Sequence, residues 1–205
     1  MFLLLQYPFV VLILMMTYKG GYRFHPEINY FVFDKTYLSD LGRIHYFSGN
    51  YNPYWWIYSI TLTLVGIGIF LFFFLISSSL KTKFRTPILL FAIVSAIGYI
   101  GIAVNPVDIY FNKHIFYGKI AFFSFLFTAF LSLIYTKKNN NFRFKALYIL
   151  NFFLSAYLIF QLYVPQTTNE SILQIKVLAQ KSIVAVQLII SILILYKSKF
   201  INFSS

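Results

Sequence analysis

Cysteine is absent from this chain, which removes disulfide frameworks, thiolate nucleophiles and thiolate-bound metals from the options. Charge is scarce as well. Only 11% of the 205 residues are Asp, Glu, Lys or Arg, where a soluble domain carries about 25%. Acids are scarcest, with five in all. There is no internal repeat of fixed period, no heptad seam and no stretch with the composition of a soluble domain. A chain so poor in polar surface cannot cover itself in water, and a bilayer explains the deficit.

What fills the chain is apolar sequence: 60% of it is hydrophobic, including 26 Phe and 17 Tyr. Most of these aromatics read as lipid-facing or packing surface, and Trp55 and Trp56 fit an interfacial belt. A membrane-crossing helix needs roughly 20 mainly apolar residues. Six segments come near that, at about 2–18, 54–78, 87–104, 115–135, 146–164 and 172–196. The expected fold is therefore all-α, a single polytopic membrane bundle of six transmembrane helices with a polar outer loop at 19–53. The first segment has neither a basic leader nor a small-x-small cleavage site before Lys19, so it reads as a retained helix. Gly66 and Gly68 in the second offer close helix contact.

The formal net charge of +12 suggests nucleic acid at first sight, but the basic residues sit at the ends of apolar segments, which points to topology and not to a nucleic-acid partner. Lys81, Lys83 and Arg85, then Lys137, Lys138, Arg143 and Lys145, then Lys197 and Lys199 lie on one side with no acid among them. Glu27, Asp34, Asp40, Asp108 and Glu170 all fall on the other side, with His25, His45 and His114. The positive-inside rule then gives a multi-pass cell-membrane protein with both termini cytoplasmic. Lys19 and Arg23, which flank the outer end of the first helix, oppose that orientation.

Three groups of polar residues belong to the outer side. The stretch from Tyr37 to Pro53 carries Ser39, Asp40, Arg43, His45, Asn50 and Asn52. A second group is Asn105, Pro106, Asp108 and His114. The third lies in the last helix, where Lys181 is about 14 Å from the outer end and costs at least about 2.5–3.5 kcal/mol to insert. Gln174 lies seven residues before it on the same face, while Lys176, Gln180 and Gln187 form a second stripe. Lys181 is expected to line a polar cavity and to pair with Asp40 or Asp108, or else to hold helix packing. Asp40 and Asp108 suit a general acid/base pair or, more simply, counter-ions, and Asp40 also suits a cap for a short helix beginning near Leu41. His25, His45 and His114 lack the spacing of a zinc site, so no metal and no cofactor is expected.

Ser39-Asp40-Leu41-Gly42, Asn52, Gly66 and Gly68, Gly98 and Gly101, Pro106, Asp108 and His114 together resemble the bacterial and archaeal six-helix membrane proteins of domain-of-unknown-function family 998. The likeness covers about residues 22–135, and the last two helices by hydrophobicity alone. The arrangement is also distantly similar to the DRAM-type membrane family, which implies lipid handling. It departs from the ceramidase-type zinc hydrolases, having one helix fewer and no His pair in its later helices. The resemblance implies an architecture and a site position without a reaction.

The functional expectation is an enzyme or binder acting on a lipid or lipid-linked anionic substrate at the outer surface. Asp40, His114 and Asp108 are the candidate catalytic groups, with Arg43, Lys181, Asn52 and Gln180 the candidate substrate-binding groups. A small ion-coupled transporter and a non-catalytic scaffold or partner subunit in the membrane are the alternatives. Membrane lipids are the expected partners.

Overall fold

The computed structural model describes residues 2–78, 85–136, 149, 153, 156–157 and 169–201. Among them the regular elements are helices: α1 (Phe2–Thr17), α2 (Trp55–Ser78), α3 (Arg85–Val104), α4 (Phe111–Thr136) and α5 (Glu170–Ile201), with a short 3-10 turn at Leu38–Gly42. Among the described residues three stretches are long and apolar enough to cross a membrane, namely Trp55–Leu75, Arg85–Val104 and Glu170–Ile189. α1 is a shorter apolar helix of 16 residues. The helix expected at 146–164 lies outside the described residues, apart from single positions.

The boundaries differ from expectation where polar residues extend a helix. α4 begins at Phe111, ahead of the apolar run, and α5 runs from Glu170 to Ile201 through Lys197 and Lys199. Polar side chains do not stop a helix where water or head groups solvate them, so apolar runs underestimate length.

The helices pack as neighbours in chain order, α1 on α2, α2 on α3, and α3 on α4. Glycines set the spacing. A Cβ on Gly98 would lie 2.5 Å from the backbone N of Ala121, so α3 and α4 meet backbone to backbone. On α2, Gly66 faces Ala96 and Ile100 of α3, while Gly68 faces Leu3 and Leu4 of α1. Two residues along a helix turn it by about 200°, so this pair clears opposite sides of α2 for its two partners.

α1 buries Leu4, Tyr7, Val11 and Leu14 at helical spacing and exposes Phe2, Phe9, Leu12, Ile13 and Met16. Both faces are apolar, and the exposed one suits lipid tails. α1, α2, α3, α4 and α5 each direct one end toward residues 18–54, a polar cap whose 3-10 turn packs on α1, α2 and α5. That cap positions every candidate residue described below.

Candidate functional site at the polar cap

The cap ends in a hairpin-like fold-back. His45 and Tyr51 form an isolated bridge, and Asn52 N–H donates to the Ile44 carbonyl at 2.8 Å. Asn52 itself is buried. Its Nδ2 donates to the carbonyls of Leu41 (3.0 Å) and Arg43 (2.9 Å). Its Oδ1 accepts from the Tyr46 hydroxyl (2.9 Å) and the Tyr54 N–H (3.0 Å). Those four bonds use the amide's ordinary capacity, so Asn52 staples the loop to the start of α2.

Asp108 works the same way from the α3–α4 connection. Its carboxylate accepts from the backbone N–H of Ile44 (3.1 Å) and His45 (2.8 Å), and the His45 ring stands 3.6 Å away. Asp108, a candidate for an acid/base pair with Asp40 or for a counter-ion, here serves as a backbone clamp. An ionised carboxylate makes strong bonds to N–H groups, which is why an acid serves here.

The polar face of α5 forms a third set of contacts. Glu170 accepts from Lys35 (2.7 Å) and from the Tyr22 hydroxyl, and Gln174 donates to Asp34 (2.6 Å). Gln180 accepts from the Leu38 N–H (2.9 Å). Lys181 donates to the carbonyls of Phe33 and Thr36, the latter at 2.6 Å, with its ammonium over the Phe31 and Phe33 rings. Among the described residues no carboxylate lies within ion-pair distance of Lys181, although the fields of Asp40 and Asp34 reach it. The expected ion pair is thus replaced by two backbone carbonyls and two aromatic faces. Between these polar contacts Leu173 and Val177 pack against Tyr22, Phe24, Ile28, Val32 and Tyr37. Positions 170, 173, 174, 177, 180 and 181 share one side of a helix, so the residues 22–38 are strapped along α5.

What remains is a group centred on Arg43. Its Nε donates to the His45 carbonyl (3.1 Å), its plane lies 4.0 Å from the Phe47 ring, and Nη1 is 3.6 Å from Asp40 Oδ1. Asp40 is the third residue of the 3-10 turn, which starts at Leu38 and not near Leu41, and its Oδ2 reaches back to the Tyr37 N–H at 2.9 Å. The cap it supplies comes from inside the turn. His114, buried at the start of α4, is within the fields of Arg43 and Asp108. Its Nδ1 lies 2.7 Å from the Asn105 carbonyl. A carbonyl only accepts, so Nδ1 carries the proton and Nε2 keeps its lone pair.

The structure therefore pairs Asp40 with Arg43, leaves His114 at the start of α4 on the connection that Asp108 clamps to residues 44–45, and assigns Asn52, Asp108, Gln180 and Lys181 to holding the cap. Sequence reasoning missed Tyr18, Tyr22, Asp34 and Lys35. It also missed a file of tyrosines below Asp40: Tyr58 hydrogen-bonds Tyr7, and Tyr99 donates to Gln187 at 2.8 Å. The available signal was tyrosine deep inside apolar runs, where each hydroxyl needs a partner.

Burial pushes the Asp40 carboxyl up to about 6, against the opposing pull of Arg43, the Tyr37 N–H and Lys181. A carboxyl that binds its proton more tightly in the fold than when unfolded makes the fold less stable as pH rises. The loss begins near the unfolded value of 3.8 and is complete above about 6. The rise corresponds to roughly 3 kcal/mol. Asp40→Asn removes this dependence, so its stability relative to wild type should rise by about 2 kcal/mol between pH 4.5 and 7.5. Denaturant titration in mild detergent measures it, and a stability difference that does not vary with pH would refute the assignment.

Comparison of the chain with family models, curated proteins and solved structures finds no match.

Proposed function

We propose that this is a six-span membrane protein, both termini cytoplasmic, whose outward polar cap takes the anionic head group of a lipid or lipid-linked substrate. The observation that carries the reading is the Arg43–His114 arrangement. A guanidinium held by the Phe47 ring, the His45 carbonyl and Asp40 extends its field to a histidine with a fixed tautomer. Arg43 suits binding of a phosphate or carboxylate. His114 Nε2 suits taking a proton from an attacking water or hydroxyl and returning it to a leaving group. Asp40 orients Arg43 and tempers its charge. The likeness to the domain-of-unknown-function family 998 would place such a site in a six-helix frame.

Arg43→Gln should weaken retention of anionic lipid by tenfold or more, from loss of a charge-assisted bond worth about 1.5–3 kcal/mol. His114→Gln should spare retention and remove turnover. Native mass spectrometry of the detergent-released protein reads the first, and total lipid profiles of cells carrying each variant read the second. Lipid retention and lipid profiles unchanged in both variants would overturn the reading.

A proton-coupled carrier is the second reading, favoured by the tyrosine file. Tyr58 hydrogen-bonds Tyr7, and Tyr99 donates to Gln187, so buried hydroxyls lie inside the apolar helices. Proton flux into vesicles that is lost in Tyr7→Phe, with lipid retention intact, would favour it over the first.

A further inference from the structure

We propose that the Tyr18 hydroxyl is a ligand of the Arg43 site and donates a hydrogen bond to an oxygen of a bound phosphate-type oxyanion. The assignment rests on the reading of Arg43 as an anion-binding residue and adds to it a group that the charge pattern does not suggest.

Tyr18 follows the last residue of α1 and is 3% exposed. Its ring is held edge-on by Tyr46, with centroids 5.0 Å apart, and by Phe31 at 5.6 Å. The hydroxyl is buried and has no hydrogen-bond partner among the described residues. The groups whose fields reach it are Asp40, Arg43 and Tyr46. None of them is committed to it. Tyr46 gives its own hydroxyl to Asn52, and the Asp40 oxygens face the Tyr37 N–H and Arg43.

A buried donor left unmade costs about 1–3 kcal/mol, and phenylalanine would fill the same space without that cost. A guest oxygen removes the penalty. The donors at this place settle what kind of guest it is. Arg43 uses Nε on a carbonyl, and the carboxylate beside its Nη1 stands at 3.6 Å, beyond good hydrogen-bond length. The guanidinium fork and the Tyr18 O–H are thus donors facing few acceptors, which is the complement of an oxyanion. Burial raises the Tyr18 phenol far above its ordinary value, so it stays protonated and donates at any physiological pH.

Tyr18→Phe tests the assignment, with thermal shift and calorimetric titration of the full chain in detergent. The probes are dioctanoyl phosphatidic acid, inorganic phosphate, and dioctanoyl phosphatidylcholine, whose phosphate is masked. Wild type should bind phosphatidic acid, Tyr18→Phe should bind it about tenfold or more weakly, and the unliganded melting temperature should be unchanged or higher. A parallel loss for inorganic phosphate, with no advantage for the lipid, identifies a soluble phosphate as the guest. A loss confined to the lipid identifies a head group. Undiminished binding by Tyr18→Phe overturns the assignment, as does a lower unliganded melting temperature with intact affinity, which marks a resident water. If wild type binds neither phosphatidic acid nor phosphate, the reading of Arg43 itself falls and Tyr18 with it.

Discussion

Asn52→Asp should cost more than about 4 kcal/mol and unfold the cap from the α2 end. The amide nitrogen is the issue. In the native protein Nδ2 faces two carbonyls, Leu41 at 3.0 Å and Arg43 at 2.9 Å, in a site where the residue is 1% exposed. The carboxylate brings an acceptor to both and a charge to a dry site, leaving two buried carbonyls opposed by like partial charge. Protonation of the new acid restores one of the two bonds at most. Asn52→Ala, which vacates the site without adding charge, should cost less, about 2–4 kcal/mol. Denaturant titration gives the energies. Trp55, whose indole donates to Tyr51 at 3.1 Å, reports the place through its emission. An Asn52→Asp protein within 1 kcal/mol of wild type would mean that the staple is not what closes the loop.

The apolar runs located α2, α3 and α5 because a helix in lipid must be apolar over a fixed length, and that constraint is written in composition. They also placed Asp40, Arg43 and His114 at one end and Lys181 deeper on the same side. The partners of these groups were not legible. Asn52, Asp108, Gln180 and Lys181 all bond to backbone groups across the fold. Every residue carries the same N–H and C=O, so no pattern of side chains announces which one a distant aspartate or lysine will meet. Lys181 shows the consequence. A buried ammonium needs compensation, and an inventory of side chains offers only acids, whereas two carbonyls and two aromatic faces do the same service. Helical spacing did carry information, since Gln174 and Lys181 do share a face and do meet the same strap.

That strap leads to the second large effect. Lys181→Met should free residues 22–38 from α5. The substitution keeps an apolar chain of similar length but leaves the Phe33 and Thr36 carbonyls without their charged donor, a loss of about 1.5–3 kcal/mol for each bond. Relief of the desolvated ammonium returns part of that. A net loss of about 3 kcal/mol would raise the open population roughly a hundredfold. Arg23 and Lys35 lie within the strap and are trypsin sites, so limited proteolysis in detergent reads the opening directly, as cleavage that follows the open population. Lys181→Arg should fall between the two, because a planar fork does not converge on two carbonyls as an ammonium does. Asp40→Asn and Asp34→Asn together decide what holds the lysine, since the fields of both acids reach it. If a carboxylate anchored it, removing that charge would open the strap as Lys181→Met does. With carbonyls as the anchor, neither variant approaches the effect of Lys181→Met, and Asp40→Asn leaves residues 22–38 protected with trypsin cutting at the wild-type rate.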